Sequence, residues 1–191
     1  MPIQIFDTYA TEYDNWFEHH TFEFQAELDQ IRQVIRDIPD FSLEVGVGSG
    51  RFASSRTIPY GIDPSRPLLR MARKRGIEVV QGRGEYLPFK PDSFRYTEMI
   101  TVICFLDNPL LTCAEIHRIL VHDGILCIAF IEREGEIYKR YRDRQGKSRF
   151  LSHAKFYTRE EVVCILSQSG FFLVSSGCIK GFCVLTFQNV K

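Results

Sequence analysis

The chain has 191 residues, 45% of them hydrophobic, with 24 basic and 24 acidic side chains and a formal net charge of zero. This length supports one domain with a core and is too short for two comfortable ones, and the neutral balance speaks against a nucleic-acid binder, which ordinarily carries a basic excess. The longest pure apolar stretch, Ile125 to Ile131, is too short for a bilayer span, and M-P-I-Q-I-F-D-T-Y-A is no signal peptide, so a soluble, cytoplasmic protein without membrane contact is expected.

In chain order, Ile5 to Ile38 has helical spacing, with Phe24, Leu28, Ile31, Ile35 and Ile38 on one face. Phe41 to Val45 is a short apolar strand, Arg51 to Ser55 opens a helix, and Pro59 to Ile62 is a second strand. Ser65 to Arg75 is a helix with Ser65 as N-cap, Pro67 in its first turn and Gly76 after its end. Ile77 to Gln81 is a third strand and Tyr96 to Phe105 a fourth. Leu110 to Val121 is a helix entered at Asn108-Pro109. His122-Asp123-Gly124 turns into a buried strand, Ile125 to Ile131. Thr158-Arg159-Glu160-Glu161 is a capping box for a helix ending near Gly170. Phe171 to Ser176 and Phe182 to Gln188 are joined by a link short enough to make them an antiparallel hairpin. Strands that scarcely alternate are covered on both faces. The expected fold is α/β: a Rossmann-like, doubly wound, mostly parallel sheet with an antiparallel C-terminal pair.

The six cysteines form no C-x-x-C pair, and most lie in apolar runs, so buried free thiols are expected. Cys178 and Cys183 are the one pair spaced to be watched. No metal-ligand pattern is evident.

The stretch L-E-V-G-V-G-S-G-R-F, Leu43 to Phe52, carries the chemistry. Gly46, Gly48 and Gly50 follow the first strand, where such sheets bind ligands. Glycine lets a ligand touch backbone, and the next helix offers free N–H groups. A dinucleotide fingerprint needs a third glycine at position 51, which is Arg51. Asp63, ending the second strand, could accept two hydrogen bonds from ribose hydroxyls, which nucleotide cofactors of either kind require.

These segments resemble class I S-adenosylmethionine-dependent methyltransferases. L-E-V-G-V-G-S-G-R-F-A is similar to their first motif and Y-G-I-D-P-S to their second. G-R-G-E-Y-L-P-F-K-P-D-S-F (Gly82 to Phe94) resembles a segment of the subgroup that includes the ubiquinone and menaquinone methyltransferases. E-I-H-R-I-L-V-H-D-G-I-L and F-Y-T-R-E-E-V followed by S-G-F continue the match in family order. The resemblance implies a seven-stranded methyltransferase fold over residues 1–191, with 1–38 as a helical lid and 132–157 on the substrate side. It implies S-adenosylmethionine as cofactor and S-adenosylhomocysteine as product. Glu44 with the backbone of Gly46 and Gly48 would face the methionine part, and Gly50 would open the helix. Asp63 would bind the ribose, Pro64 the adenine, Gly84 and Glu85 the adenine amino edge, and Thr101 would line the floor. Tyr9, Tyr13 and Trp16 fall in a Y-x-x-x-Y-D-x-W pattern that forms a lid in relatives.

Three positions depart from the family pattern, the second of little consequence on a turn. Arg83 stands where the family usually has an acidic residue, the turn reads His122-Asp123-Gly124, and the link between the last two strands is very short. The last implies an open or small substrate site, or one completed by pairing, so a monomer or homodimer is expected.

Methyl transfer needs positioning first and a base only if the nucleophile starts protonated. No catalytic residue is evident. His19, His20 and Tyr9 are the candidates, with Tyr13 beside them; His117, His122 and His153 read as helix, turn and loop residues. Thr101-Val102-Ile103-Cys104-Phe105 is not the Asn/Asp-Pro-Pro-Tyr/Phe of enzymes that methylate exocyclic amines of DNA bases. A small-molecule acceptor is therefore expected. The alternatives are an RNA or protein methyltransferase docking through Lys139 to Arg149, which holds six basic residues, or a non-catalytic partner subunit.

Overall fold

The computed structural model describes residues 3–143 and 148–191. Among these, helices α1 (Ile3–Thr8), α2 (Ala10–His19) and α3 (Thr21–Val34) precede β1 (Ser42–Val45). Then come α4 (Arg51–Arg56), β2 (Tyr60–Asp63), α5 (Arg66–Lys74), β3 (Glu78–Gln81) and β4 (Phe94–Ile100). The chain continues through α6 (Pro109–Ile119), β5 (Leu120–Ile131), α7 (Glu136–Asp143), α8 (Arg159–Gln168), β6 (Phe171–Ile179) and β7 (Phe182–Asn189). The strands form one sheet in the order β3-β2-β1-β4-β5-β7-β6. All neighbours are parallel except β7, which runs antiparallel to both β5 and β6. The expected fold class is what is found. Strand order reverses between β1 and β4, which opens a crevice at their carboxyl ends.

The core lies in two layers. On one face Val45, Met99, Ile116, Leu166 and Phe187 pack together; on the other Leu28, Ile31, Ala53, Ala72 and Tyr96 do. β5 serves both, and Leu126 to Ala129 are fully buried, which explains why I-L-C-I-A-F-I shows no alternation. No helix among the described residues is long and apolar enough to cross a membrane.

Several boundaries differ from the sequence reading, each for a local reason. The N-terminal stretch is three helices, and the last ends at Val34; Ile35 is extended and Ile38 precedes Pro39, which disfavours helix there. Both isoleucines still pack on the core. The fourth strand stops at Ile100 because Thr101 takes φ +55°, and Ile103–Phe105 form a 3-10 turn instead of strand. β5 starts earlier than expected: register jumps from Phe94↔Leu120 to Tyr96↔Ile125, so His122-Asp123-Gly124 is a bulge with Asp123 at φ +62°. Ser65 holds the N-cap position of α5 without a side-chain capping bond. The capping box of α8 is present, Thr158 accepting from Glu161 N and Glu161 from Thr158 N.

The cysteine expectation needs correction. The Lys180-Gly181 turn sets Cys178 opposite Cys183, and the two form a disulfide with Cα atoms 4.1 Å apart. Cys104, Cys113, Cys127 and Cys164 are free, but Cys164 is exposed.

Candidate functional site

β1 ends at Val45, and the chain turns over Gly46 to Gly50 into α4. Gly46, Gly48 and Gly50 take φ +76°, +53° and +81°, where a side chain is strained. A Cβ on Gly46 would collide with Val102, and one on Gly48 would meet the Tyr13 hydroxyl at 3.4 Å. The turn thus presents bare backbone. Asp63 sits across from it, 8% exposed. Its Oδ2 accepts from Gly48 N at 3.0 Å and its Oδ1 from Ser65 N at 2.8 Å. Burial pushes this carboxyl up to about 6, against the restraining N–H bonds from Ser65 and Gly48. Each oxygen keeps acceptor capacity.

A cavity of about 880 Å³ runs from this turn beneath the N-terminal helices. One end is lined by Gly46, Gly48, Asp63, Pro64, Leu68 and Thr101. The other is lined by Trp16, His20, Glu27, Gln30, Tyr141 and Phe182. Thr101 is β-branched and left-handed, a conformation costing roughly 1–3 kcal/mol. Its N–H to Ala129 O, 2.7 Å, and its hydroxyl to Ile100 O, 2.8 Å, hold it there. Above, Phe6 of α1 packs edge-on to Tyr13 and Phe105 at 5.5 and 5.2 Å and stacks on Phe150 at 5.4 Å.

α2 is fastened by Asp14. Arg51 reaches both its oxygens at 2.8 Å, and Arg75 donates to Oδ2 at 2.9 Å. Burial alone would push the Asp14 carboxyl up; hydrogen bonds led by Arg51 outweigh it and hold the group well below the usual carboxylate range. So Arg51, which breaks the dinucleotide fingerprint, clamps α2 onto the glycine turn.

The structure brings Gly46, Gly48, Asp63, Pro64, Thr101, Tyr13, Trp16 and His20 together around the cavity. Its wall does not include Glu44, Gly50, Gly84, Glu85, Tyr9 or His19. Gly50 packs on Ala72 and Ile77. Glu44 is buried beside Glu98, its register partner on β4, and burial and that neighbour push its carboxyl well up. Arg56 and Tyr96 serve Glu98, at 2.9 and 2.7 Å. Gly84 lies against Thr112. Glu85 is buried and pairs with Arg83, which also binds Asp107; burial raises the Glu85 carboxyl but Arg83 brings it below its usual range. Tyr9 lies under the Arg149 guanidinium, 3.8 Å from its ring centre, and His19 is exposed. His117 bonds Val190 O at 3.1 Å, His122 pairs with Asp123 at 3.0 Å, and His153 is exposed. Among the described residues no group of three or more His, Cys, Asp or Glu could hold a metal ion. Glu23, Glu27 and Gln30 were not singled out by the sequence reading; their spacing with Trp16 and His20, alternately four and three residues, is the signal that marks one helical face.

Comparison with known proteins agrees with this geometry. A family model described as a methyltransferase domain matches residues 43–128. A Thermotoga maritima crystal structure, described as an S-adenosylmethionine-dependent methyltransferase and possible histamine N-methyltransferase, superposes with TM-score 0.88 at 32% identity, covering 97% of this chain and 99% of that one. An uncharacterized protein of Methanocaldococcus jannaschii is 37% identical over 170 residues, 88% of this chain and 82% of that protein. An uncharacterized Mycobacterium tuberculosis protein is 33% identical over 174 residues, but this chain spans only 60% of its length. The chain belongs to the class I S-adenosylmethionine-dependent methyltransferases. It is an enzyme of that class, and S-adenosylmethionine is its cofactor, which sets aside the dinucleotide and non-catalytic alternatives. The site fits that molecule: a buried carboxylate with spare acceptor capacity suits a ribose diol, the bare Gly48 backbone suits close approach, and Pro64 and Leu68 offer apolar cover. When bound, the cofactor supplies an electrophilic methyl group on a sulfonium.

Proposed function

We propose that this methyltransferase transfers the methyl group to a small-molecule acceptor held at the Trp16–Tyr141 end of the cavity. The observation that carries the reading is the continuity of that cavity from Asp63 to Trp16 under α1 to α3. Its volume lies near the upper end of the roughly 300–1,000 Å³ usual for small-ligand sites, which leaves room beside the cofactor for a second small molecule. In this reading Gly46, Gly48, Asp63, Pro64 and Thr101 contact the cofactor. Glu44, Gly50, Gly84 and Glu85 support that end from behind, residues 1–38 with Tyr9, Tyr13 and Trp16 act as lid, and 132–157 border the acceptor. The resemblance of Gly82 to Phe94 to a segment of ubiquinone and menaquinone methyltransferases and the small amine named for the Thermotoga structure both favour a small acceptor.

Docking of RNA or protein through 139–149 finds less support. Arg140 pairs with Glu136 at 3.1 Å, Arg142 with Asp143 at 3.4 Å and Arg149 with Glu12 at 3.5 Å, so much of that basic charge is answered locally. Arg144 to Lys147 lie outside the described residues.

The test begins with calorimetric titration of S-adenosylmethionine, S-adenosylhomocysteine and NAD, and binding of the first two alone is expected. Labelled methyl transfer is then compared across a small-metabolite extract, total RNA and total protein. Label confined to RNA or protein would overturn the small-acceptor reading.

A further inference from the structure

The acceptor end of the cavity has a chemistry of its own. Trp16 and Tyr141 wall it, with Phe22 at the rim, and Trp16 stacks on His20 at 4.6 Å. The faces of such rings attract organic cations. Glu27 shares that cavity wall. It lies on the α3 face with Glu23 and Gln30, and Gln30 anchors that face by donating to Phe182 O at 2.8 Å on the β6–β7 hairpin. Glu27 is partly buried, yet it makes no hydrogen bond and no ion pair among the described residues. Its oxygens are not sealed off, so the carboxylate is open to the cavity and free to take a cation that enters it. None of the basic side chains on the cavity wall pairs with it: Arg140 is held by Glu136, His20 Nδ1 contacts Trp16 O at 2.9 Å, and Lys180 makes no ion pair with Glu27.

We propose that the acceptor is an aryl-alkyl amine, held as its ammonium by Glu27 against Trp16 and Tyr141, and that Glu27 takes the proton the nitrogen must lose before it attacks. The inference rests on the small-acceptor reading above. The ammonium gives one proton to the Glu27 carboxylate and becomes a neutral amine. Its lone pair forms the N–C bond as the C–S bond of the sulfonium breaks, leaving a methylammonium product, neutral S-adenosylhomocysteine and a proton on Glu27 that passes to water.

The site's electrostatics suit that role. Burial first, and the neighbouring Glu23 carboxylate second, push the Glu27 carboxyl up to about 8. A base poised there can take a proton from an amine without being too weak to hold it. The polar and titratable groups that share the cavity wall with it include Glu23 and Gln30 on its own helix, His20 before it, Tyr13 on α2, Asp63, Arg140 and Tyr141 on α7 and Lys180 on the hairpin. Tyr13, whose hydroxyl burial pushes above its ordinary range, lines the same cavity as Glu27 and Asp63.

The protein carries a single tryptophan, Trp16, so fluorescence reports this end of the cavity directly. Protein saturated with S-adenosylhomocysteine is titrated with 2-phenylethylamine, 2-phenylethanol and 3-phenylpropionate, for the wild type, Glu27→Gln and His122→Asn, an exposed position outside the cavity wall. The amine is expected to bind at least tenfold more tightly than the alcohol or the carboxylate, and only Glu27→Gln should erase that preference. Methylation of the amine nitrogen is expected with S-adenosylmethionine. Glu27→Gln should lower kcat/KM by about 10²-fold or more, in the range of a lost general base. It should also remove the wild type's rise in kcat/KM toward pH 8 while leaving S-adenosylhomocysteine affinity unchanged. Equal binding of amine and alcohol, an amine preference that survives Glu27→Gln, methyl transfer to oxygen, or no transfer to a bound amine would each overturn the proposal. Failure to bind S-adenosylhomocysteine would instead strike the cofactor reading.

Discussion

Replacing Asp63 by Asn tests the cofactor end in a way that separates binding from stability. In the folded protein burial raises this carboxyl from its ordinary 3.8 to about 6. Its native form therefore holds a proton more tightly than the unfolded chain does. Stability is unaffected by this below pH 3.8, falls as pH rises toward 6, and above that carries a cost of about 3 kcal/mol. Asn does not titrate, so this pH-dependent loss should vanish in Asp63→Asn, whatever constant penalty arises from turning an amide group toward Gly48 N or Ser65 N. Urea unfolding of both proteins at about pH 5 and about pH 8 measures the difference, and the wild type should lose more stability over that interval. Cofactor binding should move the other way. An ionised carboxylate accepting two hydroxyl groups is worth about 1.5–3 kcal/mol, so Asp63→Asn should weaken S-adenosylhomocysteine binding roughly 10- to 150-fold at about pH 8. The gap should narrow at about pH 5, where the wild-type carboxyl is largely protonated. Equal affinities at the higher pH would remove Asp63 from the site, and parallel stability profiles would refute its raised carboxyl.

Two further perturbations probe what supports the site. Glu44 is buried against Glu98 and its carboxyl is raised well above the usual range, so the native state keeps its proton where the unfolded chain has lost it. Wild-type stability should fall more than that of Glu44→Gln as pH rises above the ordinary carboxylate range, measured by thermal unfolding across a pH series; a constant gap would mean that Glu44 is ionised. Asp14 is the opposite case: its carboxyl is depressed, so its contribution is present above pH 3.8 and lost as pH falls toward its folded value. Asp14→Asn should cost about 1–3 kcal/mol at neutral pH and speed amide exchange in α2 before the sheet, and uniform exchange would show that the clamp does not hold a separable lid.

The parts of the fold that were legible in the sequence are those set by near neighbours. The apolar run of β5, the capping box at Thr158 and the Asn108-Pro109 helix start each encode their element within a few residues, and each is found. What was misread is set by distant contacts. Nothing local in T-V-I-C-F says strand or turn; Thr101 leaves the sheet because Val102 must pass under Gly46 and Thr101 N must reach Ala129 O. Cys178 and Cys183 stood out only by their spacing, because the pairing register that sets them face to face is created by the two-residue turn between them.

The same distinction runs through the site. Its cofactor end is a chain-local device: a strand, a glycine turn and an acidic residue at the end of the next strand, all within Leu43 to Asp63, so their order alone located them. The end proposed for the acceptor is lined from α2 and α3, α7 and the β6–β7 hairpin, and the N-terminal helices stand more than a hundred residues before the other two. No short motif can encode that assembly. Yet a trace survives in the sequence: Trp16, His20, Glu23, Glu27 and Gln30 recur at helical spacing beside the apolar face of Phe24, Leu28 and Ile31. A polar stripe next to an apolar one ordinarily means solvent. Here the short hairpin turn brings Phe182 O to Gln30 and buries that end of the stripe, while Trp16 and Glu23 stay exposed. In the proposed reading, the residues that choose the acceptor thus lie in helices that precede the first nucleotide motif, outside the segments whose order marks the cofactor site.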